Sequence, residues 1–228
     1  MKVVFTPTAQ TDPKYQPVPA SKILPEWYKQ SESYRGGAKA LSERSQTLGT
    51  IKKCVPVFDA ITAGYLILSP ADVLVSQKDG AAFYQWAGFD LIQFHEAAQA
   101  VGHPGNDDQA PFPKWISPWS IKTPSGYSCW FTAPKHRKSL FTILDGIVDT
   151  DLYSSPVNFP FTLNDAHFEG IIPAGTPIAQ VIPFRRDSFQ MQVGDESAFQ
   201  ESHASFVRLS AKFFDSYKTQ FWTKKEYK

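Results

Sequence analysis

Short runs of apolar and β-branched residues, broken at regular intervals by proline and glycine, constrain this chain more than any other feature. From residue 50 to about residue 195 the runs are four to eight residues long, from those in "TIKKCVPVFDAITAGYLILSP" to "SFQMQVG", and each is typical of a strand. The 18 prolines and 18 phenylalanines also suit strands joined by tight turns better than a helical bundle. The pattern predicts a mainly β protein with an antiparallel β-sandwich or barrel.

The two ends of the chain depart from this rhythm. A strand, "KVVFTP", leads into a Pro-rich arm and a short helix that we place at Pro25. Near the C-terminus, aromatic and aliphatic residues recur mostly every three or four positions, which indicates an amphipathic helix with Ser197 near its start. We therefore expect three regions: 1–49 with the strand, arm and short helix, 50–195 with the β domain, and 196–228 with a C-terminal helix packed on that domain. A second short helix is expected at about 91–101.

Charge and hydropathy limit the partners that the sequence favours. With 23 basic and 22 acidic residues the formal net charge is +1, so neither nucleic acid nor an anionic membrane is an expected partner. No apolar run approaches the length of about 18 residues that a membrane span needs. Cys54 and Cys129 are expected to be buried thiols in a reducing compartment. We expect a cytoplasmic protein.

Two carboxylates stand one residue apart in "GIVDTDLY". If Asp149 and Asp151 lie on a strand, they share one face and fit a general base and a metal ligand. Aspartate is equally favoured in turns, where it accepts hydrogen bonds from the backbone. The residues alone leave both interpretations open.

Other polar and aromatic residues also have two interpretations each. The amide of Gln180 fits a phosphate contact or a bond to neighbouring backbone at a sheet edge. Arg185, with Arg186, His136 and Arg137, fits an anion pocket or solvated turns. Tyr127 belongs to an aromatic-rich stretch with three tryptophans, which fits a core and interface or a platform for a sugar or base. His95, Glu96 and His103 have no standard metal-ligand spacing, so no metal site is predicted.

The order of four segments resembles the dUTPase and dCTP deaminase superfamily. "GIVDTD" is followed by a strand, a turn and "IPAGTPIAQVIPF", as in the central motifs of that superfamily. Upstream, "TAGYLILSPADVLV" (62–75) resembles its first conserved strand, and "TPSGYSCWFTAP" (123–134) lies where its Ser-rich phosphate loop is found. The resemblance covers about 50–185 and implies a β-clip or jelly-roll fold and a homotrimer with active sites between subunits.

The resemblance also implies roles for individual residues. Asp149 would activate a water as general base, Tyr153 would stack on a base or sugar, and Ser125 and Gln180 would contact phosphates. The departures oppose intact nucleotide hydrolysis. Leu66 replaces an acidic residue that helps to hold magnesium in dUTPases, "PSGYSC" lacks the arginine of the phosphate loop, and Ser154 replaces a glycine.

Nearly the whole chain, including "LPEWYK" and "NFPF", resembles more closely a group of proteins of tailed phages and bacteria to which no activity is assigned. If a phage encodes the chain, we expect it in the host cytoplasm or the virion. We therefore expect a non-catalytic binding or assembly component with a dUTPase-like β scaffold. It is expected to be a homo-oligomer, with a trimer favoured and other protein subunits as further partners, and to need no cofactor. The alternative is a divergent deoxynucleotide-handling hydrolase or deaminase with Asp149 as general base, and only this alternative has a role for magnesium.

Overall fold

The fold is divided between two compact units in a computed structural model that describes residues 1–9, 11–41, 48–103 and 111–228. Each unit is built from two stretches of sequence. The first unit comprises Met1–Ile23 and Ala63–Arg186, and the second comprises Leu24–Thr62 and Asp187–Lys228. The three regions expected from the sequence, with boundaries after residues 49 and 195, stay a prediction.

Antiparallel strands make up the first unit. In chain order they are β1 (Val4–Pro7), β2 (Val18–Pro19), β3 (Tyr65–Leu68), β4 (Val73–Lys78), β5 (Ala81–Gln85), β6 (Ile92–His95), β7 (Phe112–Ile116), β8 (Trp119–Lys122), β9 (Tyr127–Thr132), β10 (Phe141–Ile143), β11 (Gly146–Val148), β12 (Asn158–Leu163), β13 (Gly170–Ile172) and β14 (Pro177–Arg185). They form the sheets β1-β8, β10-β12-β7-β6, β11-β9-β14-β3-β2 and β13-β4-β5. The prediction of a mainly antiparallel β protein is confirmed, and none of the described sheets closes into a barrel.

An aromatic cluster fills the core of the first unit. The rings of Trp115, Phe141 and Phe161 are fully or almost fully buried, and their centroids lie 5.2 to 5.4 Å apart. These separations allow the tilted and edge-to-face contacts that aromatic rings prefer. Buried aliphatic residues of β3, β4 and β14 belong to the same core. β4 begins with alternating buried and exposed positions, whereas β3 and β14 bury three and four consecutive residues.

Gly64 lets the chain enter β3 directly beside β14. Its φ of +66° lies in the left-handed region, which costs glycine little and other residues more. A Cβ built at this position would overlap the carbonyl oxygen of Val181 on β14. Glycine is therefore required here for two separate reasons, conformation and space.

Helices make up the second unit. They are α1 (Glu26–Gln30), α2 (Val55–Thr62), α3 (Glu196–Ser210) and α4 (Ser216–Gln220). Pro25 is the residue before α1, so the short helix begins one position after the expected start. The Tyr28 ring of α1 stacks on Phe58 of α2 at 5.8 Å.

Three local predictions are wrong. The run at 55–62, taken as strand, is helix α2, because Val55, Phe58 and Ile61 recur every third position and Pro56 is tolerated in a first helical turn. The helix expected at 91–101 is strand β6 followed by a 3-10 turn at Ala97–Ala100, since pairing with β7 decides the conformation.

The third wrong prediction is a strand in "SFQMQVG". Residues 187–195 have no regular secondary structure in the structure. Phe189, Met191 and Val193 alternate as in a strand, but no described strand pairs with them. Alternation alone does not make a strand, because a strand also needs a partner for its backbone.

The C-terminal helical prediction is confirmed with a break. The helix expected to run to Phe221 is divided into α3 and α4, and Asp215 before α4 has a φ of +56°. Asp195, not Ser197, caps α3, because its carboxylate accepts from the backbone N–H groups of Ser197 and Ala198. Phe199 and Phe206 of α3 remain exposed.

Candidate functional site

The segment "GIVDTDLY" passes from strand to turn at its first aspartate. Strand β11 ends at Val148 after pairing with β9. The backbone N–H groups of Leu152 and Tyr153 then both donate to the carbonyl oxygen of Asp149, at 2.9 and 2.8 Å. Asp149 and Asp151 therefore lie in a turn, which is the second interpretation that the sequence left open, and not on one face of a strand.

Arg186, at the end of β14, brings the two carboxylates together. Its guanidinium donates to both carboxylate oxygens of Asp151, with Nη1 2.7 Å from Oδ1. The same Nη1 lies 3.1 Å from Oδ1 of Asp149 and 3.1 Å from the Ser128 hydroxyl oxygen. Two-point pairing of this kind is the strongest common carboxylate contact in proteins.

Backbone groups complete the surroundings of Asp151. The N–H of Gly126 donates to its Oδ2 at 2.8 Å, and Lys122 Nζ donates to its carbonyl oxygen at 2.6 Å. The Asp151 side chain is only 4% exposed. The hydrogen bonds from Arg186 lower the pKa of Asp151 to about 2, and the same pair raises the pKa of Arg186. Asp151 is therefore an ionised anchor and a poor proton acceptor at neutral pH.

Asp149 is the more accessible carboxylate. Its side chain is 55% exposed, and its Oδ1 accepts from the Ser128 hydroxyl at 2.6 Å. Within the described ranges, Oδ2 of Asp149 has no hydrogen-bond partner. Of the two predicted catalytic residues, only Asp149 has an oxygen open to solvent or to a ligand.

The predicted ligand-binding residues are divided between this site and other positions. Tyr127 and Arg185 are paired residues on the neighbouring strands β9 and β14. Ser125 is exposed in the turn before β9. Tyr153 follows the carboxylate turn and is exposed, with its hydroxyl 3.3 Å from the carbonyl oxygen of Pro156. These four residues therefore lie on or beside β9, β14 and the turn that contains the carboxylates.

Gln180 contacts backbone instead. Its side chain is 0% exposed, its Oε1 accepts from the N–H of Lys135 at 2.9 Å, and its Nε2 donates to the carbonyl oxygen of Ala63 at 2.7 Å. This geometry matches the interpretation in which the Gln180 amide bonds neighbouring backbone. However, β14 is an interior strand of its sheet and not the expected edge strand.

Arg186 is the residue whose importance the sequence did not reveal. The pair "RR" after "IPF" was noted as a candidate anion pocket, yet nothing in the sequence distinguishes Arg185 from Arg186. The first is exposed and the second binds two carboxylates. Of the other two residues of the expected anion pocket, His136 is exposed in the turn after β9. Arg137 donates to the carbonyl oxygen of Ile23, and burial lowers the pKa of its guanidinium.

Few oxygens around the carboxylate turn are left to hold a magnesium ion. Leu66, at the position of the acidic residue, is fully buried, and Asp151 already has its oxygens bound to Arg186 and Gly126. In the described ranges no group of three His, Cys, Asp or Glu side chains converges as metal ligands would, and this includes His95, Glu96 and His103. Cys54 and Cys129 are free thiols, of which only Cys129 is fully buried.

Comparisons with known proteins give dUTPases as structural neighbours. The native dUTPase of EIAV aligns with a TM-score of 0.32 and 17% identity, over 59% of this chain and 84% of that chain. A dUTPase mutant from phage phi11 of S. aureus aligns with a TM-score of 0.33 and 14% identity, over the same shares. A Staphylococcus bacteriophage 80alpha dUTPase mutant with dUpNHpp aligns with a TM-score of 0.33 and 15% identity, over 59% and 76%. No family model and no curated protein matches the chain.

A likeness of this size assigns neither a family nor an activity. The resemblance to proteins of tailed phages and bacteria stays a prediction. Across the part of the chain that the structure describes, no helix has both the length and the apolar character needed to cross a bilayer.

Proposed function

We propose that this chain is a binding or assembly component whose antiparallel β scaffold does not turn over nucleotides. The observation that carries the proposal is the contact of Arg186 with both Asp149 and Asp151. An arginine that neutralises both carboxylates stabilises the turn after β11. It also occupies both oxygens of Asp151 and one oxygen of Asp149, which leaves only Oδ2 of Asp149 for a metal ion or an activated water.

Proton transfer is the first step that this arrangement opposes. A general base works best when its pKa lies near the working pH, whereas hydrogen bonds from Arg186 hold the pKa of Asp151 at about 2. In Asp149, Oδ1 is already bound to Ser128 and to Arg186, which leaves only Oδ2 to accept a proton. The turn has the character of a structural connection between β9, β11 and β14.

Phosphate binding is the second step that this arrangement opposes. Gln180 uses both ends of its amide on backbone groups, so it has little left to offer a phosphate. Ser125 lies in an exposed turn, and Lys122, the cation three residues before it, donates to the carbonyl oxygen of Asp151. Both contacts favour a structural role for residues to which the resemblance assigns phosphate binding.

The proposal includes a β-sandwich of the jelly-roll or β-clip type and a homo-oligomer, with a trimer favoured. Exposed aromatic side chains on α3 support association with another protein surface. Other protein subunits are further partners, and the setting is a phage or bacterial one, in the cytoplasm or a virion.

Turnover tests the proposal directly. The purified chain is incubated with each of the four deoxynucleoside triphosphates, dUTP and Mg²⁺, and released phosphate, pyrophosphate and ammonia are measured. We expect no release above that of a heat-denatured sample. Release that is lost in Asp149→Asn but kept in Asp165→Asn, a change at an exposed loop aspartate, would overturn the proposal.

A second candidate function rests on one observation, the open Oδ2 of the half-exposed Asp149. A divergent deoxynucleotide hydrolase or deaminase would use this oxygen as general base, with Tyr153 against the base or sugar. Such an enzyme predicts that dUTP or dCTP raises the melting temperature, since a ligand at about one hundred times its dissociation constant stabilises by about 2.7 kcal/mol.

A further inference from the structure

A groove in the first unit lies apart from the carboxylate turn. Its volume is about 610 Å³, within the range of about 300 to 1,000 Å³ that is typical of small-molecule sites. It is lined by residues of β5, β6, β7 and β12. None of its described lining residues belongs to the site around Arg186.

Five of the described lining residues of this groove are phenylalanine or tyrosine. Phe112 and Phe161 are buried, while Phe83 and Phe94 are about half exposed. The ring of Tyr84 lies between the two sets, with its centroid 5.6 Å from Phe161 in an edge-to-face contact and 6.0 Å from Phe94. A planar ring placed here would meet aromatic surfaces from several strands, and such contacts favour an aromatic ligand over an aliphatic one.

The charges around the groove exclude an anion as the natural ligand. Its described lining contains no lysine and no arginine. Its single carboxylate, Glu96, accepts a hydrogen bond from the backbone N–H of Gln99 in the first turn of the short helix at Ala97–Ala100. The described part of the lining offers no lysine or arginine to a phosphate or carboxylate, so a neutral ligand fits it better than an anion.

His95 supplies a directional polar group at this groove. The Oε1 atom of Gln99 accepts from the backbone N–H of Glu96 at 3.0 Å, which identifies it as the carbonyl oxygen of the amide. The same oxygen lies 3.1 Å from Nδ1 of His95. A carbonyl oxygen only accepts, so Nδ1 carries the proton, and Nε2 of the neutral ring is then a hydrogen-bond acceptor.

We propose that this groove binds a small, neutral, planar aromatic compound with one N–H or O–H donor, whose ring packs against Phe94 and Tyr84 and whose donor bonds Nε2 of His95. The proposal goes beyond the scaffold role and does not depend on it. Phe94 supplies the ring surface on the open side, while His95 selects for a donor.

Indole and 1-methylindole are matched probes for this site, because they share a ring system and differ in the N–H group. The test is an NMR titration of the isotopically labelled full-length protein near pH 7.5, with dissociation constants taken from saturating chemical-shift changes. We expect indole to bind about fivefold more tightly than 1-methylindole, which is the effect of one hydrogen bond. The shifted resonances should include Phe94, His95 and Phe112.

Two variants and a control separate the ring contact from the polar one. Phe94→Ala should weaken indole about threefold to tenfold through loss of a ring contact. His95→Leu should instead bring indole and 1-methylindole to equal affinity. Phe206→Ala removes a comparably exposed ring on α3 and should change neither affinity.

Three results would overturn the proposal: no saturating shift with indole at its solubility limit, equal affinity of the two probes for the unmodified protein, or unchanged indole affinity in folded Phe94→Ala. A fourth is an oligomer that Phe94→Ala converts to monomer, because the groove would then be an interface between copies. Each variant is first checked for an unchanged melting temperature. Since Phe94 is half exposed, both replacements should fold.

Discussion

Gln180 offers a direct way to separate a structural role from ligand binding. The change is Gln180→Met, which keeps the length of the side chain and removes both ends of the amide. In the native protein this amide holds the N–H of Lys135 and the carbonyl oxygen of Ala63. Gln180 is fully buried, so the variant leaves two backbone groups without the partner that the amide supplied.

The size of the effect follows from those two groups. A buried donor or acceptor left unpaired costs about 1–3 kcal/mol, and part of that loss is offset by the more apolar methionine. We therefore expect Gln180→Met to lower the free energy of unfolding by about 2–5 kcal/mol. For a domain of this size the melting temperature should fall by roughly 5–15 °C.

Urea unfolding followed by tryptophan fluorescence measures this change, with the slope of free energy against urea kept as a check on cooperativity. Gln85→Met is the matched control, because Gln85 is exposed on β5 of the same unit, and we expect a change within about 0.5 kcal/mol. If Gln180→Met were as stable as Gln85→Met, Gln180 would not support the fold, and the hypothesis that it binds phosphate would again be favoured.

Three further outcomes follow from other contacts. Because Arg186 lowers the pKa of Asp151 to about 2, the pair stabilises the folded state above about pH 4 and loses this effect as the pH falls towards 2. The melting temperature of Arg186→Met should therefore fall less steeply than that of the native protein over this window; equal slopes would contradict the pairing. Gly64→Ala should destabilise the fold by roughly 2–4 kcal/mol through its overlap with Val181 and its positive φ. Gly80→Ala, with a similar φ and open space, should cost about 1 kcal/mol. Equal costs of the two changes in urea unfolding would show that the overlap is relieved. Multi-angle light scattering should give three times the chain mass of 25.6 kDa, and a concentration-independent monomer would contradict the trimer.

The strands were predictable where a buried face and a turn residue occur together. In "TPIAQVIPF" the apolar run follows Gly175, whose positive φ precedes β14. The helix at 55–62 was not predictable, because a run of four to eight apolar residues fits a strand and a buried helix equally well. What distinguishes them is the third-position spacing of Val55, Phe58 and Ile61, a short signal beside a proline.

The candidate site was less predictable than the fold because its main contacts join distant parts of the sequence. "GIVDTDLY" indicated two carboxylates and left strand or turn open. Their partner, Arg186, lies more than thirty residues further on, and register decides which arginine of the pair faces Asp151. The pairing of Arg185 with Tyr127 settles that choice in three dimensions, and no local pattern encodes it.

The two unpaired cysteines provide a built-in probe of conformational opening. Cys129 is fully buried on β9, accepts a hydrogen bond from the Thr150 hydroxyl at 3.3 Å, and burial raises the pKa of its thiol. Cys54 is only half buried. A maleimide reagent should therefore modify Cys54 in the folded protein and reach Cys129 only when the strands around the carboxylate turn separate. The rate of the second modification, read by mass spectrometry, reports how often this sheet opens, with no engineered label.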